Sequence, residues 1–330
     1  MKLRNGFRII ALAALLLIGS MWLLASGHVS AGDGLPEFGP WSTPEVLGPE
    51  VNSVVLDQGP ALSRDGLTLY FQSNRPGGYG GHDVYFVQRA SLDAPWGAPQ
   101  NAGPALNTPF NEQAPNLTVD GHRMYFHSDR PGGFGGSDIY VSRRHNKRDD
   151  FGWKIPENLG DTVNTAAQDQ QACIFEDEAT GVISLYFTSD RSGGLGGLDI
   201  YASTLQSDET FSWPVLISEL SSPANDRGPT IRKDGLEIIF PSNRPGTVPG
   251  SFAAADDLWV STRPSTKDPW STPVNLGIPV NDITSDAQPE LSFDGKELYF
   301  NAARTGGIGP FGSFDLWVTR RSKLYGNDPK

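Results

Sequence analysis

Short apolar runs recur along the chain, and they come in pairs. LTLYF is followed by DVYFV, RMYF by DIYV, SLYF by DIYA, EIIF by DLWV and ELYF by DLWV. Runs this short, rich in β-branched and aromatic residues and bounded by Asp-Gly or Gly-rich segments, predict β-strands joined by tight turns. With 38 Gly and 26 Pro to break helix interiors, a helical bundle is disfavoured.

Each pair of runs belongs to a longer unit. Trp41, Trp96, Trp153, Trp213 and Trp270 open similar segments at intervals of 55 to 60 residues, four of them reading WSTPEVLG, WGAPQNAG, WKIPENLG and WSTPVNLG. Self-similarity at a fixed period marks a repeat architecture. Within a unit, a first strand carries Pro-x-Leu (Pro60 to Leu62, Pro115 to Leu117, Pro289 to Leu291). The second strand is LYF-like, the third opens on Asp, and the fourth begins at the Trp. Four-stranded units in five copies predict an all-β five-bladed propeller, which packs blade on blade and so protects its edges. The chain starts on a Trp-type strand and ends after a third strand. Residues 41–48 are therefore expected to pair with 315–321 and complete the last blade.

Antiparallel strands put the link into the first strand and the link between the second and third on one face. The turns Asp65-Gly66, Asp120-Gly121, Asp234-Gly235 and Asp294-Gly295 lie on the other. Three rings mark the first face. Asp57, Glu112, Asp169, Asp226 and Asp286 precede the inner strands, and in four copies an Asn stands five residues earlier (Asn52, Asn107, Asn164, Asn281). Arg75, Arg130, Arg191, Arg244 and Arg304 end the second strands, and Asp83, Asp138, Asp199, Asp257 and Asp315 open the third. Between the last two rings sit Gly-rich loops tipped by Tyr79, Phe134, Leu195 and Ile308. Arg and third-strand Asp flank one hairpin, so a charge-assisted brace between them is expected. The glycines permit positive φ and close packing and do not form a phosphate loop, since no helix or lysine follows. Five carboxylates round one axis repel unless each is paired or a cation sits among them. The acidic ring, with Tyr79 and Phe134, is the candidate ligand-binding set. Blade four lacks the tip pattern, carrying Thr247-Val248-Pro249, which centres the expected footprint on blades one to three.

Composition narrows the function. The 330 residues carry 26 Lys and Arg against 38 Asp and Glu, a net charge of −12. Such an acidic chain is a poor match for nucleic acid. A single cysteine, Cys173, in the apolar context QACIF, excludes an internal disulfide and is expected to be a buried side chain. No G-x-S-x-G or H-E-x-x-H occurs, and the five histidines show no recurrent ligand spacing. No catalytic residue, metal ligand or cofactor is therefore assigned. The Trp series reads as packing residues. Lys2, Arg4 and Arg8, the apolar run 9–25 and Val29-Ser30-Ala31 read as a signal peptide over 1–31, cleaved to start at Gly32. The alternative is an inner-membrane anchor over 9–25. The remaining organisation is a linker at 32–40, the propeller at 41–321 and a tail at 322–330.

The succession of Pro, Ser-x-Asp-Gly, LYF-Ser-x-Arg, Gly-Gly and Asp-Ile-Tyr resembles the WD-like propeller repeats of the TolB type, over about 41–321. The resemblance implies a periplasmic or extracellular protein that binds other proteins or cell-envelope components. TolB has six blades and a further α/β domain, so its own partners are not carried over. The expectation is a non-catalytic binding or scaffold propeller for a protein or an envelope glycan, with a cation at the channel mouth as a further occupant. The alternative is a glycoside hydrolase working through channel-mouth carboxylates.

Overall fold

The computed structural model describes residues 38–310 and 312–324, and its twenty elements are all strands. After β1 (Glu45–Val46), blade one comprises β2 (Asp57–Leu62), β3 (Thr68–Ser73), β4 (Asp83–Gln88) and β5 (Gln100–Asn101). Blade two comprises β6 (Glu112–Leu117), β7 (Arg123–Ser128), β8 (Asp138–Arg143) and β9 (Glu157–Asn158). Blade three is β10 (Asp169–Glu176), β11 (Ile183–Ser189), β12 (Asp199–Thr204) and β13 (Val215–Leu216). In blade four, β14 (Thr230–Ile231) and β15 (Glu237–Ser242) precede β16 (Asp257–Thr262) and β17 (Val274–Asn275). Blade five holds β18 (Asp286–Leu291), β19 (Glu297–Ala302) and β20 (Asp315–Arg320), with β1 as its fourth strand. The chain is thus a five-bladed propeller of four-stranded antiparallel sheets.

Closure follows the strand phasing. Glu45 pairs with Val318 and Val46 with Trp317. The pairing continues outward, where Gly39 N–H donates to Ser322 O at 2.7 Å and Phe38 bridges Lys323. The signal-peptide and anchor readings and the last six residues lie outside the described residues.

The core is five slabs, each between neighbouring blades. Leu69 and Phe71 of blade one meet Tyr299, Leu316 and Val318 of blade five, and the next slab joins Tyr70 and Phe86 to Met124 and Phe126. Phe71, Phe126, Phe187, Phe240 and Phe300, one per second strand, are fully buried. Each such burial contributes about 1.5–3 kcal/mol. The asparagines seen in four repeats stitch the slabs together. Asn107 accepts from Val84 N–H at 2.8 Å and donates to Val84 O at 2.9 Å, and Asn52, Asn164 and Asn281 do the same to Leu316, Ile139 and Leu258.

The fourth strands are shorter than expected, two residues each, and begin beyond the tryptophans. Trp41, Trp96, Trp153 and Trp270 each lie under a guanidinium, those of Arg321, Arg89, Arg144 and Arg263, at 4.1–4.3 Å from the ring. Trp213 departs from the series. Blade three has Leu205 where the others have Arg, so among the described residues no arginine caps the site, and the buried ring there is Phe211. Trp213 is 73% exposed, which corrects its assignment as a packing residue.

Candidate functional site

The inner strands carry the same irregularity in four blades. A bulge follows their second residue, and Gly59, Ala114, Gln171 and Gln288 take φ between 46° and 60°. Three of these are not glycine, so the turn is imposed by the fold. The bulge aims the backbone N–H at the preceding blade. Ala114 N–H donates to Gln72 Oε1 at 2.6 Å, Gln171 N–H to His127 Nδ1 at 3.2 Å and Gly59 N–H to Asn301 Oδ1 at 3.4 Å. His127 is therefore neutral with its proton on Nε2, and burial pushes its pKa down to about 3. Pro60, Pro115, Pro229 and Pro289, with Ala172 in the same place in blade three, line a space of about 30 Å³.

At the loop-bearing end, the acidic ring has no face toward a ligand. Asp57, Glu112, Asp169, Asp226 and Asp286 are fully buried. Each is paired with the arginine of its own blade: Arg75–Asp57, Arg191–Asp169 and Arg244–Asp226 at 2.5 Å, Arg130–Glu112 at 3.0 Å, and Arg304–Asp286. The same guanidinium donates to a carbonyl of the loop behind it, as Arg75 does to Val51 O at 2.8 Å, and lies over Phe71 and Tyr85. The other carboxylate oxygen is also used: Asp57 Oδ2 accepts from Ser53 N and Oγ at 2.6 and 2.7 Å. Burial is the largest influence on Glu112, pushing it up, and on Asp286, pushing it to about 7 against the pull of Arg304. The carboxylates expected to bind a ligand are thus buried, each engaged by an arginine of its own blade.

The expected brace between Arg and third-strand Asp is corrected too. Those aspartates serve the loops. Asp83 accepts from Tyr79 N–H at 2.5 Å and Gly80 N–H at 3.1 Å, and Asp138 from Phe134 and Gly135 at 2.6 and 3.1 Å. Asp199 accepts from Leu195 and Gly196, Asp257 from Val248, and Asp315 from Ile308 and Gly309. The tip residues Tyr79, Phe134 and Leu195 are about half exposed above these anchors. A Cβ on Gly80 would stand 2.0 Å from Phe110 O, so close packing on the next blade requires the glycine.

The Asp-Gly end, which the sequence marks with turns alone, holds a cavity of about 80 Å³ lined by Glu290, Glu176, Asn116, Cys173, Thr230 and Phe293. Asn116, Thr230 and Glu290 latch the ring here, accepting the backbone N–H of Ile174, Leu291 and Leu62 in the following blades at 2.9, 3.1 and 3.2 Å. Burial pushes Glu290 up to about 8 and raises Glu176. It also raises the buried thiol of Cys173, which leaves it a poor nucleophile. Among the described residues no group of three His, Cys, Asp or Glu side chains is placed to hold a metal ion. Glu290, Arg227 and Asp256 were not singled out by sequence reasoning. Their signal is departure from the repeat, since Ala61, Asn116, Cys173 and Thr230 stand where blade five has Glu290.

Comparison with known proteins returns the architecture. No family profile matches the chain, and no curated protein matches it. Among solved structures, the chain is similar to the catalytic domain of a GH62 α-L-arabinofuranosidase from Coprinopsis cinerea, at 14% identity and TM-score 0.56 over 87% of this chain and 98% of that one. It is likewise similar to a GH43_1 enzyme from Xanthomonas citri complexed with xylotriose, at 14% identity and TM-score 0.56 over 86% and 89%. TolB from Acinetobacter baumannii matches at 14% identity and TM-score 0.47 over 83% and 56%. At such identities the likenesses to the two glycosidases show the propeller fold alone, a scaffold that serves many functions.

Proposed function

We propose that the chain is a non-catalytic binding propeller of the TolB-type repeat class, exported to the periplasm or the exterior. It holds a protein or an envelope glycan on the face of its Gly-rich loops. The observation that carries this reading is the anchoring of exposed apolar tips by buried aspartates. Tyr79 and Phe134 are half exposed while the backbone N–H of each is tied to Asp83 and Asp138. Aromatic side chains held rigid before a partner arrives lose little entropy on contact and suit interface hot spots. The carboxylates of the acidic ring are buried and each is engaged by an arginine, which favours a structural role for the ring. In the test, the mature chain is immobilised and exposed to envelope extract at low and high salt. Capture should persist in salt, because the tips are apolar and the ring is internally paired. The double variant Y79A/F134A should lose capture with its circular dichroism unchanged. Equal capture by that variant would overturn the reading.

A second reading, glycoside hydrolysis, is favoured by the fold likeness to GH62 and GH43 enzymes and by Glu290. A carboxyl pushed up to about 8 is protonated at neutral pH, the state of a general acid, and Glu176 lines the same cavity. The cavity of about 80 Å³ is well below the roughly 300–1,000 Å³ of pockets that enclose a small ligand, which ranks this reading second. Turnover of aryl arabinofuranosides or xylosides, abolished by E290Q, would establish it. An inert parent chain would dismiss it.

A further inference from the structure

Each Asp-Gly turn keeps its aspartate and glycine, but the residue before them changes in kind from blade to blade. It is Arg64 in blade one, Val119 in blade two, Lys233 in blade four and Phe293 in blade five. All four line the cavity at that end, and the longer turn of blade three adds Glu178. Ring closure sets blade five between blades four and one, through the slabs they share. Lys233 and Arg64 therefore reach Phe293 from either side of its blade. The Arg64 guanidinium stands 4.4 Å and the Lys233 ammonium 4.7 Å from the centroid of that one ring.

Elsewhere in the fold a guanidinium over a ring is also tied down by a second bond. Arg89 donates to Gly66 O at 2.7 Å and Arg263 to Gly235 O at 2.6 Å, Arg144 and Arg321 do the same in their turns, Arg232 holds Glu237, and the ring arginines hold their carboxylates. Among the described residues Arg64 and Lys233 have no such bond and no ion pair, in a chain with 26 basic against 38 acidic side chains. Both are exposed. Two like charges held against one ring repel each other, and an anion between them removes the repulsion. A neutral donor is spare in the same cavity: Asn116 gives Oδ1 to Ile174 N–H at 2.9 Å, and its Nδ2 makes no bond among the described residues. The blades opposite are acidic. Glu178 lines the cavity there with Glu176, which accepts Val119 N–H at 2.8 Å.

We propose that this mouth receives the C-terminal carboxylate of a partner peptide, gripped by Arg64 and Lys233 while the last residue enters the cavity. The site lies on the face opposite the Gly-rich tips and stands independently of the reading of those tips. The chemistry selects the ligand class. A guanidinium fork and an ammonium with free donors match one carboxylate. Glu176 and Glu178 across the mouth turn away a chain that carries an anion at every unit, such as a nucleic acid or a polyuronate. A peptide end has one anion, followed by backbone N–H groups that a carboxylate or an amide oxygen can accept. The size agrees. About 80 Å³ takes an end group but is well below the roughly 300–1,000 Å³ that encloses a whole ligand. Leu62, Leu117, Ile174 and Leu291 in its wall suit a small apolar side chain such as that of alanine. Burial pushes Glu290 up to about 8, so at neutral pH it sets no charge against the incoming carboxylate.

Amide chemical shifts of the mature chain are followed as N-acetyl-tetra-alanine is added, with the C-terminally amidated peptide, digalacturonate and inorganic phosphate as controls. The free acid should shift resonances of Arg64, Asn116, Lys233 and Phe293, and should bind more weakly as salt is raised. R64Q and K233Q, on exposed side chains that hold nothing in the fold, should each weaken binding by about fivefold or more with the thermal midpoint unchanged. K233R should keep most of the affinity, and Y79A/F134A should leave it as it was. No shift with the free acid, equal shifts with the amidated peptide, tighter binding of digalacturonate or phosphate, or full affinity in both R64Q and K233Q would each overturn the inference. If the free acid binds as described while Y79A/F134A still captures from envelope extract, this site stands and the tip reading falls.

Discussion

The carboxylate of Asp138 accepts the backbone N–H of Phe134 at 2.6 Å, so a buried charge holds the base of an exposed aromatic tip. The same carboxylate accepts from Gly135 N–H and from Asn158 Nδ2, which ties the loop to β9 as well as β8. Replacing Asp138 by Ala leaves these donors without an acceptor. Hydrogen exchange should speed up across residues 131–137 while β7 and β8 keep their protection, because local opening needs no change in the slabs. Loss of protection throughout blade two would show that Asp138 supports the whole blade instead.

The pairing of Arg75 with Asp57 gives a second test. Removing one member of a buried pair strands the other's charge, which costs about 3–5 kcal/mol. Arg75→Met should therefore lower the urea midpoint strongly. The double variant Arg75→Met with Asp57→Asn should be less destabilised than Arg75→Met alone, since no buried charge remains. A double variant as unstable as the sum of the singles would mean that the two residues act independently.

This partner was hidden in the sequence for a physical reason. Arg75 and Asp83 flank one hairpin, which makes them look like neighbours, but antiparallel register sets Asp57 opposite Ser73 and lets Arg75 reach back across the sheet. A signal was present. Acid and arginine are 18 residues apart in blades one, two, four and five. The arginine and the third-strand aspartate are 8 apart in blades one to three but drift to 13 and 11 in the last two, as Arg244 to Asp257 and Arg304 to Asp315 show. Strand count, blade number and closure were legible because turns and apolar runs are local. The Arg227–Asp256 pair was not, since it joins residues 29 apart and has no counterpart in the other blades.

Two buried groups set opposite limbs of the pH profile. His127, with a pKa near 3, stays neutral in the fold, whereas the unfolded imidazole takes up a proton below about 6.5. Its contribution is present above about 6.5 and falls as pH drops toward 3, by about 1.4 kcal/mol per pH unit. Glu290, near 8, stays protonated in the fold while the unfolded carboxyl ionises above about 4.3. Its contribution falls as pH rises from about 4.3 toward 8. Glu290→Gln should raise the thermal midpoint at pH 8 and change little at pH 4, and His127→Gln should flatten the acid limb. An E290Q midpoint shift of equal size at both pH values would sink the assignment for Glu290.

Closure makes the first strand a structural debtor to the last. β1 covers the outer edge of β20, and Phe38 extends the cover to Lys323. Deleting residues 32–50 should lower the denaturant midpoint and increase self-association, because an uncovered strand edge pairs with whatever edge it meets. An unchanged midpoint would show that blade five stands on three strands.

The sharpest contrast lies between two tryptophans that the sequence presents as equivalent. Trp153 is buried, lies 4.3 Å below the Arg144 guanidinium and donates from Nε1 to the hydroxyl of Tyr70 at 3.3 Å. Trp213 occupies the corresponding place in its repeat but stands in solvent, because Leu205 and Phe211 have taken over the capped site as an apolar pair. The clue was the missing arginine at 205, not the tryptophan itself. Truncating a buried indole removes its burial and leaves a cavity, a loss of about 3–5 kcal/mol. Truncating an exposed one changes stability by less than about 0.5 kcal/mol. Trp153→Ala should therefore lower the urea midpoint sharply and Trp213→Ala should leave it in place. Phe211→Ala, in the same blade as Trp213, should behave like Trp153→Ala. If Trp213→Ala proves as damaging as Trp153→Ala, the indole is buried in solution and the apolar substitution read in blade three is wrong.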